Sequence, residues 1–304
     1  MKSDVIRLRD SIKNIHARYE YDQNIPPRGL SIGGRPALTQ IDPKRVGEYV
    51  IVMVRDPLVS NEQYQPRQLV DRLERKEIIG DSGMFKSYSG YYKGAHITVV
   101  SGGSGSSETE LILYDFMEFT DANTFLRVGG SGGIGVGVEP GDVVISTGIV
   151  RDEGMTQSYI PAGYPAFCNY EVINAMVQAA ETVVRKPYHL GVTLSCDSDY
   201  VGCGRPGVGG YLQPWNIEKV GIYNRAGVLN GDRESAAIVT LSNLFGRRGG
   251  SICSVADNIS TGAQFKVGIG YANAIDIALE GCAILHLLDQ QKEPDGNWYP
   301  ALYK

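Results

Sequence analysis

An α/β fold in a single domain is predicted here by three observations. Short segments rich in Val and Ile recur along the 304 residues, amphipathic helical patterns separate them, and no linker or internal repeat interrupts the series. Strands alternating with helices imply a mainly parallel sheet covered on both faces. A chain of this length also buries a sizeable core as one large domain.

The first buried strand is YVIVMV (49–54) and the second is HITVVSG (96–102). Ser107-Glu-Thr-Glu110 has the spacing of a capping box, in which a hydroxyl and a carboxylate satisfy each other's free amides. It opens the helical run ELILYDFMEF. TFLRVGG (124–130) and DVVISTGIV (142–150) are the next strands. Asn169 stands where a side-chain oxygen would cap YEVINAMVQAAETVVRK, and that helix stops before Pro187 because the residue ahead of a proline avoids helical angles. HLGVTLSC (189–196) is a strand, and DRESAAIVTLSNLF is a helix closed by Gly246 in the C′ position. GSICSVA (250–256) is the last strand and ANAIDIALEGCAILHLLDQ the last helix. Residues 1–45 read as an amino-terminal extension, 46–292 as the α/β domain, and 293–304 as a carboxy-terminal tail.

Composition excludes several function classes. A net charge of −5 with no basic run argues against a phosphate-backbone binder, so no nucleic-acid partner is expected. The start, MKSDVIRLRDSIKN, has no apolar region of a signal peptide, and no apolar run approaches the ~18 residues of a spanning helix. A cytoplasmic protein without a membrane partner is therefore expected. Five widely spaced cysteines without CxxC fit reduced thiols. Four histidines without HxxxH or HExxH spacing give no metal site, and Cys203 has no activating base nearby in sequence.

The stretch LRVGGSGGIGVGVEPGDVVIS (126–146) contains Gly130-x-Gly132-x-x-Gly135. A dinucleotide fingerprint needs a helix after the glycines, with its N-terminus at the pyrophosphate. Here VEPGDVVIS comes next, which is a strand, and no GK[ST] is present to make a P-loop. The remaining reading is a Gly-rich turn between two strands. Arg127, at the carboxy end of a buried strand beside bare glycine amides, makes that turn a candidate oxyanion site.

Six stretches, in order over about residues 47–290, carry a resemblance. They are VIVMVRDPL (50–58), GMFKSYSGYYKGAHITVV (83–100), FLRVGGSGGIG (125–135), EPGDVVISTGIVRDEG (139–154), LSCDSDYVGCGR (194–205) with NGDRESAAI (230–238), and SICSVADN (251–258). Together they resemble the nucleoside phosphorylase-I family, most closely its uridine phosphorylases, with the hexameric purine nucleoside phosphorylases next. The resemblance implies a mixed central β-sheet forming a distorted barrel flanked by helices in three α/β/α layers. It also implies a homodimer or trimer of dimers with active sites near the dimer interface. The implied reaction is reversible attack of phosphate on C1′ of a nucleoside, giving free base and (deoxy)ribose 1-phosphate, with phosphate as co-substrate and no cofactor.

By that resemblance Arg127 clamps phosphate together with Gly129 and Gly130, and Arg55 stands in the phosphate loop. Glu234 grips the ribose hydroxyls beside Asp232 and Arg233. Arg205 donates to the base carbonyl, Asp257 matches the aspartate that protonates purine N7, and Cys203, Tyr200 and Asp199 form the base wall. Arg127, Glu234 and Asp257 are thus the catalytic candidates. The sequence also departs from the family pattern. Arg55 replaces a phosphate-loop glycine, Val59 an arginine, Gly130 a hydroxyl residue, and Ser82 or Gly83 the arginine lent by a neighbour. Arg233 replaces the methionine under the ribose, Asp199 the stacking phenylalanine and Cys203 the base-reading glutamine, and the segment IPPRGLS lacks the family's histidine. These changes open two alternatives. One is a nucleosidase or nucleotide glycosidase using water, with Arg233 and Arg28 on a 5′-phosphate. The other is a catalytically silent ligand-binding relative.

Overall fold

The computed structural model describes residues 29–55, 65–183, 187–293 and 296. Strands β1 (Ser31–Ile32) and β2 (Arg35–Pro36) form a small antiparallel pair. The large sheet contains β3 (Tyr49–Met53), β4 (Glu74–Asp81), β5 (Lys86–Tyr92), β6 (Ala95–Ser101), β7 (Thr124–Gly133), β8 (Val143–Asp152), β9 (Ala166–Phe167), β10 (Tyr188–Cys196), β11 (Val228–Asp232) and β12 (Arg248–Asn258). Its order is β11-β10-β8-β12-β7-β3-β6-β5-β4, with β9 added on β8. Because β11 also pairs antiparallel with β7, strands β7, β12, β8, β10 and β11 close into a five-stranded barrel.

The helices are α1 (Gln65–Val70), α2 (Ser106–Phe119), α3 (Met155–Tyr159), α4 (Tyr170–Val183), α5 (Pro214–Arg225), α6 (Ser235–Leu244) and α7 (Tyr271–Gln291). Alternation of side chains along β3 shows how the layers arise. Tyr49, Ile51 and Met53 enter one core with α4 and α7, while Val50 and Val52 enter a second core with α2 and α6. Both faces of the strand are covered, so all five of its residues are apolar. Helix α7 is long and apolar enough by composition to cross a membrane, yet its face of Ala274, Ile277, Ala278 and Leu285 is fully buried in the first core. Asp276 and Glu280 on the same helix pair with Arg72 and Lys93. The described part of the segment before residue 46 is tied to the domain. Thr39 donates through N and Oγ1 to Asp115 at 2.8 and 2.9 Å, and Ile41 is buried in the second core.

Several expectations are corrected. The sheet is mixed rather than mainly parallel, since β8 and β12, β7 and β11, and the β4–β5–β6 edge run antiparallel. The glycine stretch turns only in its second half: β7 continues through Gly129, Gly130, Gly132 and Gly133 as one strand. The chain then turns at Gly135–Val138 and Glu139–Asp142 before β8, and β12 lies between β7 and β8 in the sheet. Helix α2 begins two residues earlier than a Ser107 cap would place it, with Gly105 at the N-cap, so the Ser107–Glu110 box does not form. Instead Glu108 accepts the Ser104 amide at 2.8 Å, and Glu110 accepts from the Tyr159 hydroxyl at 2.6 Å. Asn169 does cap α4, accepting from the Glu171 amide at 3.0 Å. Gly246 (φ +64°) does close α6. Two strands and one helix carry weak local signals. β4 is a charged edge strand, β11 contains Asn-Gly, and α5 is polar and starts at Pro214.

Candidate active site

The site is built on the glycines of β7. Arg127 and Gly129 share one face of the pleat. The Arg127 guanidinium folds back along its own strand, so close that a Cβ on Gly129 would stand 2.1 Å from Nη1. Gly130 and Gly132 face the other way. A Cβ on Gly130 would stand 2.6 Å from the Tyr271 hydroxyl, and one on Gly132 would press on Asp257 Oδ1 and Arg205 Nη2 at 3.0 and 3.2 Å. These glycines give close approach to side chains that come from elsewhere in the fold.

A bulge supplies one of those side chains. In β12, Val255 pairs with Ser131 and Asn258 with Gly133, so two residues, Ala256 and Asp257, stand opposite Gly132 alone. The extra residue turns the Asp257 carboxylate over the bare glycine. Arg205, arriving from the loop after β10, forms an ion pair with Asp257 Oδ2. Asp257 Oδ1 is buried with no hydrogen-bond partner. An orphaned carboxylate oxygen beside a cation is a site waiting for a donor.

At the other end, Arg127 Nε donates to Glu234 Oε2 at 3.1 Å, and Nη1 donates to the Val128 carbonyl at 2.6 Å. Asp232 Oδ2 lies 3.7 Å from Nε. Glu234 Oε1 accepts the Gly105 amide at 2.7 Å, just before α2. Gly105 has φ +81°, a left-handed conformation open to glycine. All three charged side chains are buried. Burial works against the Arg127 charge, but Glu234 foremost, with Cys253 and Asp232, outweighs it and holds the guanidinium's pKa above its ordinary value. Burial, then repulsion from Glu234, pushes the Asp232 carboxyl up to about 6. Asp232 also accepts from the amide and hydroxyl of Ser235, anchoring the first turn of α6.

Between these two ends lies a cleft of about 610 Å³, within the size range of small-molecule sites. Of the residues singled out from the sequence, Arg127, Gly130, Arg55, Asp232, Arg233, Glu234, Arg205, Cys203, Tyr200, Asp199 and Asp257 all line it. Gly129 lies beneath the Arg127 guanidinium instead. Arg233 and Asp199, both departures from the family pattern, pair with each other at 3.0 Å across the mouth. Arg28 and Val59 lie outside the described residues.

Sequence reasoning missed Ser104, Tyr271, Phe265 and the apolar wall of Ile134, Leu194, Val220 and Ile259. The run SGGSGSS (101–107) directly before a helix was the available signal for Ser104 and Gly105. Phe265 lies in a segment without periodicity, and Tyr271 opens α7 just ahead of the predicted helical run. Arg55 also borders a second, more polar cleft of about 360 Å³ with Arg67, Lys86 and Asp81.

Comparison with known proteins identifies the family. Residues 51–278 match the phosphorylase superfamily. The uridine phosphorylase of Thermococcus kodakarensis is 37% identical over 220 residues, covering 72% of this chain and 78% of that protein. The uridine phosphorylase of Treponema pallidum is 28% identical over 253 residues, covering 81% and 93%. The guanosine phosphorylase of Halorubrum lacusprofundi is 27% identical over 197 residues, covering 65% and 76%. With a family match over most of its length and a relative above 30% identity over most of both chains, this chain belongs to the phosphorylase superfamily.

Proposed function

We propose that the protein is a nucleoside phosphorylase of uridine-phosphorylase type. It transfers the pentosyl group of a nucleoside to phosphate and releases the free base. The observation that carries this is one cleft holding a buried Arg127–Glu234 pair at its floor and an Arg205–Asp257 pair with an unsatisfied oxygen at its far end. The uridine phosphorylases among its relatives support the same reaction.

The chemistry assigns each end a task. Phosphate is a weak nucleophile and reacts when held in line with C1′, a positioning effect worth several kcal/mol. Arg127, charged throughout and flanked by the amides of β7, is the group that would hold it, with Arg55 as second cation. Glu234 would take the sugar hydroxyls and stabilise the positive character that develops at the anomeric carbon. The departing base gathers negative charge, which Arg205 would neutralise. The free Oδ1 of Asp257 accepts an N–H, so the pair fits an edge carrying N–H next to C=O. Uracil, hypoxanthine and guanine have that edge, whereas the amino edges of cytosine and adenine do not. No cofactor beyond phosphate as co-substrate enters this scheme. A homo-oligomer in cytoplasmic nucleoside salvage is the setting it implies.

One observation favours a second reading. Glu234 and Asp232 already oppose the Arg127 charge, which leaves less attraction for a phosphate dianion and would suit water as nucleophile. The test is base release from uridine, inosine, guanosine, cytidine and adenosine, each with and without phosphate, monitored by chromatography. Phosphate-dependent release from the first three establishes the phosphorylase. Release independent of phosphate moves the protein to the nucleosidases, and no release from any substrate refutes both.

A further inference from the structure

Two thiols meet behind the base end of the cleft. Cys196, the last residue of β10, is buried, while Cys203, at the end of a short 3₁₀ turn (Val201–Cys203), lines the cleft. Their sulfurs are 3.4 Å apart, and both are free thiols. Both also lie against the Ser198 carbonyl, at 3.6 Å for Cys196 and 3.2 Å for Cys203. A disulfide requires about 2.05 Å between sulfurs, so an approach of roughly 1.4 Å would join them. The segment that must give is rich in glycine. Gly202 lies between the two, and Gly204 and Gly209 come after it with φ of +75° and +65°.

We propose that Cys196 and Cys203 form a reversible disulfide with hydroperoxides as oxidant, and that this bond controls the base end of the cleft. Cys203 is the attacking sulfur, because it is the one that lines the cleft. The Cys196 thiol, hydrogen-bonded to it, holds the Cys203 pKa below the ordinary thiol value, with help from Arg205. The same hydrogen bond, and then burial, raise that of Cys196. The Cys203 thiolate attacks one oxygen of the peroxide, the O–O bond breaks, and the departing oxygen takes the proton that Cys203 gave up, leaving a sulfenic acid. The Cys196 sulfur then attacks the Cys203 sulfur and the S–O bond breaks. Hydroxide leaves with the Cys196 proton as water. Two thiols and one hydrogen peroxide thus give one disulfide and two waters, with two electrons passing to the peroxide.

The same loop carries the cation of the base end. Arg205 is two residues beyond Cys203, its amide donates to the Tyr200 carbonyl at 2.9 Å, and its guanidinium holds Asp257 and the Asp199 carbonyl. Asp199 in turn holds Arg233. Drawing Cys203 inward by more than an ångström displaces Arg205 from Asp257 and disturbs the mouth pair as well. Misplacement on that scale costs on the order of a hundredfold in turnover. This functional part rests on the phosphorylase reading, and the bond itself does not.

The experiment treats the full chain with hydrogen peroxide and monitors it by peptide mass spectrometry and by phosphorolysis of uridine. Expected is a cross-linked 196–203 peptide lacking two hydrogens and resistant to alkylation. Base release should fall about a hundredfold, with both changes reversed by dithiothreitol. Cys196→Ser, whose side chain does not reach the cleft, should keep basal activity and stop at a dimedone-reactive sulfenic acid on Cys203. Alkylatable thiols or separate sulfinic acids in place of the cross-link overturn the proposal, as does a cross-link that leaves base release unchanged. If the reduced protein released no base, the mass readout would still decide the disulfide. A uridine-induced thermal shift, compared in reduced and oxidised protein, would then decide its effect on the cleft.

Discussion

Substituting Gly129 by alanine tests whether the Arg127 guanidinium works where the structure holds it. A methyl at residue 129 would sit 2.1 Å from Nη1 and 2.7 Å from Cζ, whereas ordinary contact begins near 3.4 Å. The guanidinium must therefore retreat by about 1.3 Å, the difference between those separations. It has little room, because its Nε already donates to Glu234 at 3.1 Å and its Nη1 to the Val128 carbonyl at 2.6 Å. Half of that retreat along the ion pair takes the Nε···Oε2 bond beyond hydrogen-bonding range. The side chains of Arg127 and Glu234 are 4% and 5% exposed, so water does not replace what is lost. A charge-assisted hydrogen bond contributes roughly 1.5–3 kcal/mol, and in a dry site the upper end applies. In a domain of this size about 3 kcal/mol lowers Tm by roughly 5 °C. Displacing a group that positions the nucleophile by about an ångström costs on the order of a hundredfold in kcat/KM. Gly137→Ala is the control, since a Cβ there meets nothing within 4 Å, and it should leave Tm and kinetics at wild-type values. Differential scanning fluorimetry and steady-state uridine phosphorolysis provide the readouts. Wild-type kinetics and an unchanged Tm in Gly129→Ala would refute the placement of Arg127 and the catalytic role built on it.

The remaining charged groups are open to the same kind of test. Asp257→Asn keeps the shape but removes the charge opposite Arg205, so kcat/KM for uridine or inosine should fall by at least ~1.4 kcal/mol, about tenfold. An unchanged value would remove Asp257 from base recognition. Asp232 has a folded pKa raised to about 6, so its contribution to stability is full below about pH 4 and is lost as pH rises through 6. Urea denaturation between pH 4 and 7.5 should therefore show a flatter pH profile for Asp232→Asn than for wild type, and parallel profiles would contradict the burial of that charge. Arg233→Met breaks the pair with Asp199, both partners being partly exposed. Stability should change by less than about 1 kcal/mol while KM for the nucleoside shifts, and a large Tm loss would show that the pair is structural.

The six apolar strands and the four helices between and after them were legible in the sequence because period and residue type report burial locally. The site residues were legible one at a time. Arg127, Glu234, Arg205 and Asp257 stand out as charges at the edges of apolar runs, and the resemblance gave each a role. The partnerships among them were not legible. Arg127 reaches Glu234 across 107 residues, Arg205 reaches Asp257 across 52, and Arg233 reaches Asp199 across 34. Those pairings depend on the closure of β11 onto β7 and on the bulge in β12, neither of which leaves a periodic trace.

The glycines of β7 show the same division. By itself the sequence determined that residues 129, 130, 132 and 133 carry no side chains, and that no helix comes directly after them, which excluded a dinucleotide site. It could not say whether that bareness served a turn or a close approach, because both need glycine for different reasons. The tertiary structure decided for close approach. The guanidinium of Arg127, the hydroxyl of Tyr271 and the Arg205–Asp257 pair each occupy space that a Cβ would have taken; Arg127 folds back along β7 itself, and the others arrive from distant segments.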